Sequence, residues 1–148
     1  MQRVISVPTN WVGATATDGQ AEVSLYVPQL TYTVGERASA LVVLRNVGAD
    51  PFDPRACNGN IYFELLLRDA AGQEVFSWTR EHLPPRSDQP VLPRCTFMGY
   101  PNLLLRPGQA VQGTLDFRVP TVGSLSVAAH RFQASTPAAE LIITAQPA

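Results

Sequence analysis

Apolar and polar residues alternate with a period of two along most of the chain, and helical periodicity is nearly absent. Val23, Leu25 and Val27 alternate with Glu22, Ser24 and Tyr26, and Ala38, Ala40, Val42 and Leu44 form the apolar face of the next run. From Asn60 to Arg68, residues Ile61, Phe63, Leu65 and Leu67 point one way, and Tyr62, Glu64, Leu66 and Arg68 the other. Val111, Gly113, Leu115, Phe117 and Val119 are set against Gln112, Thr114, Asp116 and Arg118. Leu125, Val127 and Ala129 then oppose Ser124, Ser126 and His130, and Leu141 and Ile143 close the series near the C-terminus. Successive side chains of a strand point to opposite faces, so each run predicts a strand with one face buried.

Turn chemistry separates the runs. Val34-Gly35 and Asn46-Val47-Gly48 mark two ends, Pro107-Gly108 opens the Val111 strand, and Val122-Gly123 opens the Leu125 strand. Asp69-Ala70-Ala71-Gly72 predicts a type I turn with glycine at the left-handed position, joining the Ile61 strand to a strand at 75–78 as a hairpin. About eight short strands, each with a single apolar face, must bury those faces against one another, which predicts an all-β, antiparallel β-sandwich. The 13 prolines agree with this, since most fall in the predicted loops, where they break no ladder.

Three stretches lack the pattern. Residues 80–102 hold Pro84, Pro85, Pro90, Pro93 and Pro101, and they read as a long irregular loop that is either functional or a plain crossover between sheets. The chain through Gln20 reads as an N-terminal arm, and residues 133–148 as a C-terminal strand and tail. Both read as segments that pair with a neighbouring subunit or as frayed ends.

Composition narrows the chemistry. With 148 residues the chain is one domain's length, and residues 1–148 are read as a single sandwich. All 11 basic residues are arginine, which removes lysine Schiff-base chemistry and a phosphate-loop lysine. Twelve acidic residues leave a net charge of −1, without the basic excess of a nucleic-acid binder. No apolar run approaches the roughly 20 residues of a membrane-spanning helix, so membrane insertion is not expected. The start, Met1-Gln2-Arg3-Val4-Ile5-Ser6-Val7-Pro8, does not read as a signal peptide, although a removed signal gives the same picture.

Cys57 and Cys95 both lie in turn-rich segments and read as a disulfide, with two free thiols as the alternative. Such a bond closes a loop of about 39 residues, worth roughly 4 kcal/mol in the chain-entropy model. It favours an extracellular, cell-surface or virion location; without it a cytoplasmic one is expected. His82 and His130 have no ligand spacing with the cysteines that suggests zinc. The carboxylates form no evident acid–base pair, and Asp50 and Asp53 read as turn residues. No nucleophile elbow, zinc-protease helix, phosphate loop or dinucleotide fingerprint occurs. No cofactor and no catalysis are therefore expected. Trp78 and Phe76 read as packing between the sheets, with carbohydrate stacking as the alternative, and Trp11 as an exposed anchor.

A family pattern runs through the middle of the chain. It comprises Asn46 with Asp50-Pro51, the run from Ile61 through Asp69-Ala70-Ala71-Gly72 to Trp78, Leu105-Arg106-Pro107-Gly108-Gln109, and Gly123. In these motifs the chain resembles the bacterial intracellular proteinase inhibitor (BsuPI-type) family and related immunoglobulin-like modules. The resemblance implies an immunoglobulin-like sandwich that works by surface contact. The expected partner is another protein, either a protease or a subunit of a repeating assembly such as a surface layer, pilus or virus capsid, and a homo-oligomer is consistent with the second. A sugar-binding module is the remaining alternative. The expected contact surface is Trp11 together with Arg86, Arg94, Phe97, Met98 and Tyr100 of the long loop, an arginine and aromatic set of the kind enriched at interfaces.

Overall fold

In the computed structural model, which describes residues 7–54, 63–82, 104–131 and 134–148, the alternating runs become strands with their apolar rows turned toward each other. The strands are β1 (Val12–Thr17), β2 (Ala21–Val27), β3 (Thr31–Thr33), β4 (Arg37–Asn46), β5 (Phe63–Arg68), β6 (Glu74–Ser77), β7 (Ala110–Arg118), β8 (Gly123–Arg131) and β9 (Ala134–Gln146). One short helix, α1 (Trp78–His82), follows β6. The strands form two sheets, ordered β1-β2-β4-β7 and β3-β9-β8-β5-β6. Pairing is antiparallel except between β3 and β9. The expected all-β, immunoglobulin-like sandwich is thus the observed architecture.

The core lies between the sheets. Val23, Leu25 and Val27 of β2 and Ala40, Val42 and Leu44 of β4 face Leu65 and Leu67 of β5, Leu125, Val127 and Ala129 of β8 and Ile143 of β9, all with no measurable exposure. Each large side chain so buried contributes about 1.5–3 kcal/mol of transfer free energy. Sizes are matched across the gap. Phe63 of β5 faces Gly113 of β7, where an added Cβ would stand 3.3 Å from the Phe63 ring.

The turn readings hold. Gly72 has φ +81°, its N–H donates to the Asp69 carbonyl at 2.9 Å, and the β5–β6 hairpin follows. The Asp69 carboxylate accepts from the N–H groups of Ala71 and Gln73, which explains an aspartate at the turn's first position.

Asn46 is the fully buried polar residue of the core, at the end of β4. Its Nδ2 donates to the carbonyls of Asp50 and Leu105, both at 2.8 Å, and its Oδ1 accepts the Gly48 N–H at 2.9 Å. Its backbone bonds Gln109 and Gly108. The motif residues Asn46, Asp50, Leu105, Gly108 and Gln109 therefore meet at one knot, which ties two loops to the end of the sandwich. Arg131 reinforces this end: its guanidinium lies 4.5 Å from the Phe52 ring centroid and donates to the Asp53 carbonyl at 3.3 Å.

Several expectations change. The N-terminal stretch to Gln20 contains a strand, β1, paired with β2 along its whole length. The C-terminal strand, which was expected, is the 13-residue β9; it pairs with β8 along most of its length and with β3 at its end. Neither segment has strong alternation of large apolar residues, because β1 is an edge strand of small residues and β9 buries alanine and proline. Trp78 ends the predicted strand early by starting α1. The expected disulfide is corrected. Cys57 and Cys95 lie outside the described residues, no disulfide bond is present among the described ones, and apolar burial closes the two sheets without a covalent link. With the bond goes the preference for an extracellular, cell-surface or virion location.

Candidate functional site

A groove of about 580 Å³ opens at one end of the sandwich, where the last strands of the two sheets come together. Asp116, Phe117 and Arg118 of β7, with Pro120 beyond it and Arg37 at the start of β4, form one wall. Val75 and Phe76 of β6 and Glu81 and His82 of α1 form the other. The rings of Phe76 and Phe117 approach across the floor with centroids 6.0 Å apart.

Local chemistry sets the second wall. Glu64, on the outward face of β5, accepts the Thr79 N–H at 3.1 Å and the Ser77 hydroxyl at 3.0 Å, and Ser77 Oγ in turn accepts the Arg80 N–H. Free N–H groups at the start of a helix seek acceptors, and this carboxylate and hydroxyl supply them. One turn later the His82 ring stacks on Trp78 at 4.0 Å between centroids and 18° between planes. Its Nδ1 lies 2.8 Å from the Trp78 carbonyl, which can only accept, so Nδ1 donates this bond.

The first wall carries like charges. Arg37 and Arg118 are direct cross-strand partners on the outward face of their sheet. Arg118 donates to the Gly35 carbonyl at 3.1 Å. Carboxylates share this groove: Asp116, on the same outward face as Arg118, accepts the Ser39 hydroxyl at 2.7 Å, and Glu81 lines the opposite wall, while Glu36 beside Arg37 accepts the Thr33 N–H and the Gln29 amide. Among the described residues, Arg80–Glu74 is an ion pair, and no carboxylate pairs with Arg37 or Arg118. Arg37, Arg118 and Asp116 thus border the groove from the outward face of their sheet and Phe76 and Glu81 from the other wall, while the Phe117 ring turns into the core.

Other titratable groups serve the scaffold. The N–H groups of Ala21 and Gln20 hold the Asp18 carboxyl below its usual range at the β1–β2 turn. Burial pushes the Tyr32 hydroxyl up and the Arg131 guanidinium down. No group of three or more potential metal ligands occurs among the described residues, and no described helix is long and apolar enough to cross a membrane.

Of the expected contact residues, Arg86, Arg94, Phe97, Met98 and Tyr100 lie outside the described residues, as do Cys57 and Cys95. Trp11 is half-buried on the outer face of the four-stranded sheet, where with Val7 and Tyr26 it packs against Leu41, Val43 and Ala110. Phe76 is partly buried beside the groove, and Trp78 packs against the core. Sequence reading missed the groove residues Arg37, Arg118, Asp116 and Phe117. The signal for them was present only as outward arginines at the start of one strand and the end of another. Their meeting depends on the pairing of β4 with β7, across about 80 residues of sequence.

No family model matches the chain, and no curated protein does. Among solved structures it is similar to a β-glucosidase from Erythrobacter marinus, at 15% identity and a TM-score of 0.46 over 92% of this chain. This chain spans 16% of the length of that enzyme's chain. At that level the likeness carries no argument about fold or activity.

Proposed function

We propose that this protein is a non-enzymatic β-sandwich module that works by contact with another protein, and that the groove between β6 and β7 is the contact site. The observation that carries the reading is the grouping of Arg37 and Arg118 with the partly buried Phe76 around the groove at the open end of the two sheets. Arginine and aromatic side chains are over-represented among residues that dominate binding energy. The resemblance in the Asn46, Asp69–Gly72 and Leu105–Gln109 motifs makes a proteinase-inhibitor-like role the specific form proposed. These motifs build the scaffold knot and the hairpin turn, so they speak for the scaffold more than for the partner.

The test is titration of the protein against a panel of serine proteases, with sedimentation over a wide concentration range in parallel. Inhibition of a protease that Phe76→Ser weakens is the expected result. Concentration-dependent self-association abolished by Phe76→Ser assigns the groove instead to contacts between copies in an assembly. A protein that stays monomeric and inhibits no protease overturns the proposal in both forms.

A further inference from the structure

We infer that two copies of this chain join edge to edge through β1, antiparallel, with Thr15 facing its own counterpart and Gly13 facing Thr17 of the second copy. The inference goes beyond the protein-contact reading. β1 and the groove-lining β7 are opposite edges of one sheet, so the groove stays open in each copy.

The backbone sets the register. Among the described residues β1 is a terminal strand, paired with β2 on one side. The Asp18 N–H donates to the Ala21 carbonyl at 3.2 Å, and this fixes the phase of the ladder. Val12, Ala14 and Ala16 exchange hydrogen bonds with β2, while the N–H and C=O groups of Gly13, Thr15 and Thr17 point away from it. Such open groups are a template for a further strand. The described chain ahead of β1 does not cover them, since Val7 and Trp11 turn onto the outer face of the sheet against Leu41, Val43 and Ala110. A half-turn about Thr15 brings the open groups of one copy onto those of the other: Thr15 bonds Thr15, Gly13 bonds Thr17, and none is left over.

Side chains select a second copy as the occupant. Terminal strands are ordinarily guarded by charge, proline, bulges or shortness. The other edges here carry such guards: β7 exposes Asp116 and Arg118, β3 has three residues, and β6 has four beside a register shift. The half of β9 that β3 leaves unpaired carries Pro137 and Glu140. β1 has no charge, no proline and an unbroken register over all six residues. A charged edge repels its own copy, and this one does not. In the antiparallel pair the inner row is alanine against alanine, Ala14 on Ala16, which no bulk obstructs. The outer row sets exposed Thr15 on Thr15, a favourable cross-strand pair. The Tyr26 ring lies over Gly13, so Thr17 of the second copy, opposite Gly13, meets an aromatic face.

The experiment is sedimentation equilibrium of the full chain from about 1 μM to about 1 mM, the range in which a small interface is populated, with amide exchange measured at both ends. The expected result is a reversible dimer. The amides of Gly13, Thr15 and Thr17 are expected to gain protection on concentration, while those of Val12, Ala14 and Ala16, already bonded to β2, are protected throughout. Thr15→Lys and Thr15→Glu, at an exposed position, each set like charges face to face and are expected to weaken the dimer about tenfold. An equal mixture of the two variants is expected to restore it. The exchange pattern of the unaltered chain tests the register without any variant. A chain that is monomeric throughout overturns the inference, as does self-association that leaves Gly13, Thr15 and Thr17 unprotected or that persists undiminished in Thr15→Lys. Self-association lost in Phe76→Ser and kept in Thr15→Lys also overturns it and belongs to the groove. Protease inhibition by a monomer overturns the dimer and leaves the protein-contact reading standing.

Discussion

Replacing Asn46 tests the argument that one buried amide holds the end of the sandwich together. Asn46→Ala removes three hydrogen bonds at 2.8, 2.8 and 2.9 Å. Their former partners are not equally harmed. The Gly48 N–H retains the Gln20 carbonyl, and the Leu105 carbonyl still accepts the Phe52 N–H. The Asp50 carbonyl loses the Asn46 amide. Three bonds at about 1 kcal/mol each, with one stranded acceptor partly offset by its access to water, give a loss of about 3 kcal/mol. With a urea dependence of about 2 kcal/mol per molar for a domain of this size, the unfolding midpoint should fall by about 1.5 M.

Asn46→Asp sharpens the test, since it places a carboxylate against the carbonyls of Asp50 and Leu105 at a fully buried position. Desolvation and the facing oxygens raise the folded pKa of such a group, so the folded state holds the proton more tightly than the unfolded one. Stability of the Asp variant must then fall as pH rises from about 4 to 7, the opposite of an aspartate whose carboxylate is stabilised in the fold. The assay is urea unfolding of wild type and both variants at the two pH values. An Ala variant that loses less than about 1 kcal/mol, or an Asp variant no weaker at pH 7 than in acid, would refute the knot.

Gly72→Ala should cost about 1 kcal/mol and lower Tm by about 2–4 °C, because the position has φ +81° and no neighbour to clash with, so backbone strain alone is measured. Tyr32→Phe should flatten the alkaline limb of the stability profile. Burial raises the folded Tyr32 pKa above the unfolded value near 10, so its contribution is complete below that pH and is lost as pH rises through the folded value. Trp11→Ala should cost about 2 kcal/mol in urea unfolding, as expected for a half-buried indole, and expose Leu41 and Val43 to an apolar dye. No change in either readout would mean that the N-terminal segment does not cover that face in solution.

Strands built from large alternating side chains were legible in the sequence, because a period of two and one apolar face are local properties. β2, β4, β7 and β8 were identified from the side chains that line their inner faces, and Gly72 from the left-handed backbone that a tight turn demands. β1 escaped notice because Gly13 lies under the Tyr26 ring, where a Cβ would stand 2.5 Å from the ring atoms, so a packing demand keeps that position blank. α1 escaped because five residues are too few to show a helical period, and its start depends on Glu64, which precedes it by more than a dozen residues and sits on another strand. Asn46 was visible as a motif residue, but its burial and three partners were not.

The sequence by itself determined the class of fold, since alternation and turn residues act over a few positions and leave a sandwich as the way to bury so many single-faced strands. It also determined that positive charge would be carried by arginine alone. The tertiary structure decided which arginines matter. Arg37 and Arg118 become neighbours through the register of β4 against β7, and Phe76 meets Phe117 through the approach of two sheets. Such contacts depend on side-chain packing summed over the whole core, so no local pattern in the chain encodes them.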